Sequence, residues 1–343
     1  MTAARPARVR LATLPTPLVA APRLAQALRA GALYVKRDDL TGFAMGGNKA
    51  RPLEFLIAAA AADRADTLVT GGAPGSNFCA AAAAAALWAG LRCELVLAGQ
   101  PPRFPGPALA LALAWGASTR WTGTPDRESV DDQLPRAAAA LASSGHRPYL
   151  IPRGGATGLG AIGYALAAFE LHEQLAAIGV GAARVVVAVG SGGTLAGLVA
   201  GNVALGRPWT LVGASVSRPA EEASVRVLAL ARECAHLLGR AVAPDPAPGG
   251  SARGGGRPAP ATAEPQPADV AVVDARGPGH GLPSPEGGAA AEQAMRTEGL
   301  MVDPVYTAKA LAQAPRYADG GNMVFWHTGG MLDAVAAAAG AQP

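Results

Sequence analysis

Cysteine is close to absent from this chain. Its 343 residues include three, Cys79, Cys93 and Cys234, far apart and in no Cys-x-x-Cys pair. An odd, scattered set supports neither a disulfide framework nor a structural zinc site, and no metal is expected. Charge is scarce too: charged residues make up 16%, and 29 basic side chains nearly cancel 25 acidic ones. A net charge of +4, spread along the chain, leaves no footprint for nucleic acid. Long hydrophobic runs are missing. The longest in the first half, residues 78–89, is mostly alanine and follows Gly75-Ser76-Asn77. It is too short for a bilayer and reads as a buried helix. The arginine- and alanine-rich residues 1–10 lead into no apolar stretch of signal-peptide type. The expectation is a cytoplasmic protein that binds neither membrane nor nucleic acid.

Hydrophobic residues are plentiful, at 50%, and so are the 44 glycines and 29 prolines. A chain of this size buries roughly three quarters of its unfolded surface, which excludes global disorder. Strand-like and helix-like patches alternate. Strands are expected at residues 33–36, 66–70, 93–97, 149–151, 185–189, 211–214 and 270–273. Helices are expected at 47–62, 77–89, 107–115, 161–178, from 194 onward, and at 221–238. The valine-rich run 185–189 suits a strand buried on both faces. This succession predicts an α/β protein with mostly parallel sheets. Residues 244–267 break the pattern, being almost entirely Pro, Gly, Ala, Ser and Arg. Such a composition cannot offset the entropy of ordering, and the segment reads as a disordered surface insertion.

Five short segments could carry chemistry. In Gly46-Gly47-Asn48-Lys49 a lysine follows glycines that let backbone approach a ligand. A lysine amine with a depressed pKa can form a Schiff base with an aldehyde, although on these residues alone a solvated turn lysine is the commoner reading. Gly190-Ser191-Gly192-Gly193-Thr194 follows the valine strand and opens a helix, so its N–H groups could cradle a phosphate. A dinucleotide loop is the rival, but the strand at 211–214 leads into Ser215 and Ser217 and not into the acidic residue a ribose needs. Gly75-Ser76-Asn77, before a helix, is a carboxylate cradle or a plain N-cap. Asp303-Pro304-Val305-Tyr306-Thr307 and His327-Thr328-Gly329-Gly330 are, singly, ordinary turn chemistry.

Together, in this order and spacing, the segments resemble the fold-type II pyridoxal-phosphate enzymes, and among them the family of 1-aminocyclopropane-1-carboxylate deaminase and D-cysteine desulfhydrase. The likeness also takes in Leu14-Pro15-Thr16-Pro17-Leu18, Lys36-Arg37-Asp38-Asp39-Leu40 and Ile151-Pro152-Arg153-Gly154-Gly155, and so covers most of the chain. It implies a homodimer of two-domain subunits, with 1–47 and 162–343 as the large cofactor-binding domain and 48–161 as the small one. It implies pyridoxal 5'-phosphate on Lys49, which then serves as base at the substrate Cα, with Tyr306 opposite. The phosphate would sit on Gly190, Ser191, Gly192, Gly193 and Thr194. Asn48, Asn77 and Thr328 would meet the rest of the cofactor, Thr328 near the pyridine nitrogen. Ser76, Asn77, Phe78, His280 and Thr307 would contact an amino-acid substrate.

Departures from the family pattern bear on substrate. The deaminase branch has a glutamate at the Thr307 position and a leucine at the Thr328 position, whereas threonine at both matches the desulfhydrase branch. After Ser-Asn the family continues His-x-Arg-Gln, where this chain has Phe78-Cys79-Ala80-Ala81. The family's x-Arg-Lys after the lysine becomes Arg51-Pro52, and a substrate-site tyrosine becomes His280. These changes favour a bulkier substrate, hence epimerisation of an amino-acid centre in an antibiotic pathway, of the nocardicin epimerase kind. The alternatives are D-cysteine desulfhydrase, L-cysteate sulfo-lyase, and a pseudoenzyme that binds cofactor without turnover.

Overall fold

The computed structural model describes residues 6–241, 263–317 and 320–338. The chain opens with β1 (Leu18–Ala20), α1 (Pro22–Ala27) and β2 (Leu33–Arg37). A 3-10 turn at Gly47–Lys49 runs directly into α2 (Ala50–Ala62). There follow β3 (Thr67–Gly72), α3 (Asn77–Trp88), β4 (Arg92–Leu97), α4 (Pro107–Ala114), β5 (Ser118–Trp121), α5 (Glu128–Ser143) and β6 (Pro148–Leu150). Next come α6 (Gly158–Ala177), β7 (Ala183–Val189), α7 (Gly193–Ala204), β8 (Trp209–Ser215) and α8 (Ala220–Ala241). The last part supplies β9 (Ala271–Asp274), α9 (Pro285–Glu298), α10 (Thr307–Leu311), β10 (Met323–His327) and α11 (Met331–Ala338).

These strands form two sheets. The larger has the order β1-β2-β10-β7-β8-β9, parallel except for the short β1 at its edge. The smaller, β5-β4-β3-β6, is wholly parallel. This is the expected α/β class. In β7, Val185, Val187 and Val189 face α6, α7 and α8, while Val186 and Ala188 face the layer of α1, α9 and α10. Alternate residues thus enter two cores, so no polar position interrupts the strand. In the smaller sheet Leu68, Leu95 and Leu97 pack under α2, α3 and α4, and Val69 and Val96 under α5.

Several elements lie outside the sequence expectations. Strand β5 alternates polar residues at a sheet edge, and α5 contains Pro135, which masks its buried stripe of Val130, Leu134 and Ala137. Strand β1 and helices α1, α9, α10 and α11 were not expected either. Of the expected disordered insertion at 244–267, residues 244–262 lie outside the described residues. Its remaining part is a correction, for residues 263–267 are placed. Arg232 of α8 pairs with Glu264 at 3.2 Å and donates to the Pro265 carbonyl at 3.1 Å. A reciprocal cap between Gln266 and Asp269 then opens the turn into β9.

A buried ionic cluster ties the start of α2 to the larger sheet. Asp38, after β2, accepts from Arg51 Nε at 2.9 Å and Nη2 at 2.8 Å, Tyr164 Oη at 2.6 Å, Trp326 Nε1 at 3.0 Å and Thr16 Oγ1 at 2.7 Å. Glu170 of α6 pairs with both Arg51 and Lys36. Burial alone would raise the Asp38 pKa, but the Arg51 charge and these donors bring it down to about 2.

Candidate active site

The C-terminal ends of the parallel strands and the helix N-termini that follow them meet at a cavity of about 290 Å³. Ligand clefts of α/β sheets form at this position, because N–H groups and positive helix ends converge there. Asn48 and Lys49 line it from the 3-10 turn, and Ser76, Asn77 and Phe78 from the start of α3. Gly190, Ser191, Gly192 and Thr194 line it after β7; His280, Tyr306 and Thr328 complete the wall.

One expected residue, Thr307, does not reach the cavity, and this is a correction. Thr307 is fully buried, with its hydroxyl spent on Asp303: it receives the Asp303 N–H at 2.7 Å and donates to the carboxylate at 2.5 Å. Gly193 opens α7, and a Cβ there would lie 3.4 Å from the Ala156 Cα, so its N–H is what it can offer a phosphate.

The lysine turn is fixed by close backbone contact. Gly47 has φ +52°, and a Cβ on it would stand 2.5 Å from the Thr328 carbonyl oxygen, so only glycine fits. That carbonyl accepts the Asn48 N–H at 2.9 Å. The Asn48 amide then donates to Thr194 Oγ1 at 3.0 Å, linking the lysine turn to the glycine loop. Burial lowers the Lys49 pKa to about 8, partly opposed by the charge of Asp303. Its amine is therefore substantially neutral in mildly alkaline solution, as a nucleophile or base must be.

Helix α7 begins with Gly192 as N-cap and no capping side chain, so its first N–H groups face the cavity unclaimed by a side chain. A Cβ on Gly190 would come within 3.1 Å of the Tyr306 ring. Arg226 Nε holds the Ser191 carbonyl at 2.9 Å. At α3, Ser76 is consumed as N-cap, accepting the Cys79 N–H at 3.2 Å. Asn77 donates to Asp333 at 3.3 Å, while its Oδ1 is buried without a partner.

The Tyr306 loop depends on Asp303. Its carboxylate accepts the N–H groups of Val305 at 3.0 Å, Tyr306 at 2.7 Å and Thr307 at 2.9 Å. Burial raises the Asp303 pKa, and these donors pull it back. Burial, then the nearby Asp303 charge, pushes the Tyr306 phenol up to about 12, so it is protonated at any ordinary pH. His280 lies edge-on to Tyr306, with centroids 6.1 Å apart, and its Nδ1 is buried without a partner. Burial, then Arg127, lowers its pKa to about 4, so the ring is neutral. Sequence reasoning missed Asp303 as an organiser, and it missed Asp333, Arg127 and the side chain of Arg153 as cavity-lining groups. Asp303 and Arg153 stood inside quoted motifs; Asp333 and Arg127 carried no local signal.

Residues 9–329 match the family described as pyridoxal-phosphate dependent enzyme. The chain belongs to that family. It is 38% identical over 336 residues to a D-cysteine desulfhydrase of Salmonella choleraesuis, covering 94% of each chain. It is 37% identical, with the same coverage, to a D-cysteine desulfhydrase of Salmonella paratyphi C. A crystal structure described as the ACC deaminase homologue superposes with a TM-score of 0.80 at 32% identity, over 95% of this chain and 93% of that one. The fold is thus that of the fold-type II pyridoxal-phosphate enzymes, and the cofactor is pyridoxal phosphate. The cavity fits it: an amine of lowered pKa, a helix N-terminus without a capping side chain, and the orphaned Asn77 Oδ1 share one wall system. Among the described residues no helix is long and apolar enough to cross a membrane.

Proposed function

We propose that this enzyme eliminates the β-thiol of D-cysteine, with water, to give pyruvate, ammonia and sulfide. What carries the reading is the match, over 94% of the chain, to proteins named for that reaction. The relatives described above bear the name of an elimination and not of the epimerisation favoured by the substituted residues, and elimination replaces it as the main reading. Thr328 in the cavity wall agrees, since the resemblance set threonine there apart from the leucine of the deaminase branch.

Bound pyridoxal phosphate supplies an electron sink for the pair left at Cα when its proton departs. In this reading Lys49 carries the cofactor, and its neutral amine then takes that proton. The start of α7, with Thr194 and Asn48, would hold the phosphate, and the Thr328 hydroxyl would hold the pyridine nitrogen. Asn77, with the backbone at Ser76, orients the substrate carboxylate. Tyr306, still protonated, donates to the sulfur as the Cβ–S bond breaks, so sulfide leaves without a full charge. The lobes follow the two sheets, with 48–161 as the smaller.

The test is incubation with D-cysteine in D₂O. Sulfide and pyruvate should appear in equal amounts, with kcat/KM of about 10⁴ M⁻¹s⁻¹ or more. Tyr306→Phe should lower both together. Deuterium in an intact amino acid, with interconversion of its enantiomers and no keto acid, would overturn elimination and restore epimerisation.

A further inference from the structure

Beside the site lies a second cavity of about 250 Å³ that no step above uses. It shares Arg127, Arg153 and Ser191 with the first, so the two adjoin. Its other walls are Asp131, Pro152, Arg218 and Arg226. Four guanidiniums therefore surround one space that contains a single carboxylate. That carboxylate, Asp131, is half exposed and already bound to Arg153 at 2.6 Å. Arg218 is 14% exposed, and its partner Glu222 lies out on the surface at 63%. Arg226 spends its Nε on the Ser191 carbonyl. The Arg127 backbone carbonyl accepts the Val130 N–H at 3.3 Å, but among the described residues its half-buried guanidinium has no hydrogen-bond or ion-pair partner within contact distance. Burial first lowers the pKa of both Arg127 and Arg218; the charges of Arg153 and then Arg218 add to this at Arg127, and those of Arg226 and then Arg153 at Arg218. Crowded cations with too few anions cost folding energy, and a bound anion relieves that cost. The planar fork of arginine is matched to a carboxylate or another oxyanion.

The elements that supply these residues also fix the direction of approach. Arg127 precedes α5 and Arg153 follows β6, both on the side of the smaller sheet. Arg218 follows β8 and Arg226 lies on α8, both on the side of the larger sheet. An anion between them would touch both sides while the amino-acid centre stays near Lys49. We propose that Arg127, Arg153, Arg218 and Arg226 form a second anion subsite, which receives a carboxylate or sulfonate at the far end of the substrate's side chain. The preferred substrate class is then a cysteine-type amino acid whose sulfur carries an anionic substituent. This rests on the elimination reading of the main site. For S-carboxymethyl-D-cysteine the Cα proton goes to Lys49 and the Cβ–S bond breaks with its electron pair on sulfur. The products, with one water consumed, are pyruvate, ammonia and thioglycolate.

The experiment compares S-carboxymethyl-D-cysteine with uncharged S-ethyl-D-cysteine on the holoenzyme. Their kcat/KM ratio should favour the anion by about tenfold or more, the size of a charge-assisted hydrogen bond. Arg218→Gln should collapse that ratio about tenfold, with Arg218→Lys keeping part of it. Calorimetry gives a readout without turnover: D-2-aminoadipate should bind more tightly than D-norleucine, its uncharged counterpart, and Arg218→Gln should erase the difference. A wild-type ratio of one, or a ratio unmoved by Arg218→Gln, overturns the subsite. So does a rise in the cofactor's dissociation constant in Arg218→Gln with the ratio unchanged, which would assign the arginines to the cofactor phosphate. If D-cysteine is cleaved but neither thioether is, the elimination reading stands and the proposed substrate class falls; if D-cysteine is not cleaved either but 2-aminoadipate still binds preferentially, the elimination reading falls and the anion subsite stands.

Discussion

Lys49 owes its chemistry to where one lysine is buried. Its pKa of about 8, against an ordinary 10.5, comes from burial, and Asp303 holds it from falling further. Attachment of pyridoxal phosphate to apo-protein requires the neutral amine, so its rate should climb as pH rises through about 8 and then level off. Asp303→Asn removes the opposing charge, and the climb should move to lower pH. Lys49→Ala should abolish the cofactor's protein-bound visible band altogether, and absorbance measures all three. The glycines beside it single this lysine out in the sequence, but on those residues alone a solvated turn lysine is the commoner reading, and its role comes from the family resemblance. Thr307 was misread for a local reason. It adjoins Tyr306, but α10 starts there, and successive helical side chains diverge by about 100°. Its hydroxyl consequently meets Asp303 and not the cavity. Asp333 was invisible: it sits in the first turn of α11, and only the fold brings it to Asn77.

Elements with a strong hydrophobic signature were legible, and those whose signature is shared with solvent were not. Strand β7 announces itself through valines that enter two cores, whereas edge strand β5 shows only alternating exposure among polar residues. In the proposed reading the start of α7 holds the cofactor phosphate, since its N–H groups and helix dipole act together on an anion. Thr194→Asp would set a carboxylate at that point and remove the hydroxyl that Asn48 engages. The expected result is weaker cofactor binding by tenfold or more, on the order of one to two kcal/mol, from like-charge repulsion. Equilibrium dialysis against pyridoxal phosphate measures it, and unchanged affinity would move the phosphate elsewhere.

Across the whole molecule, the buried cluster around Asp38 ties β2, α2, α6 and β10 together. Arg51→Met would leave Asp38 and Glu170 without their shared cation. Breaking a buried pair in this way costs about 3–5 kcal/mol, readable as a lower urea midpoint. Asp38 also sets an acid limit. Its folded pKa of about 2 lies below the ordinary value of 3.8. The stability it contributes is present above the unfolded value and is lost as pH falls through the folded one. Urea midpoints should therefore decline between pH 4 and 2 in the native protein, and less steeply in Arg51→Met. Neither the cluster nor its partners could be read from sequence, because its members come from five separate stretches of chain.

The order of strands in the larger sheet has a consequence for synthesis. Strand β10 sits between β2 and β7, yet among the described residues it is the last strand made. Until the ribosome has passed His327, β2 and β7 each keep a bare hydrogen-bonding edge, and Trp326 has not reached Asp38. Thr328, whose carbonyl pins the lysine turn, arrives in the same step. Lys49 emerges early, but the wall that positions it closes only once Thr328 has emerged. A chain that stops short of β10 therefore exposes an aggregation-prone gap between β2 and β7, and cofactor capture has to wait for that strand.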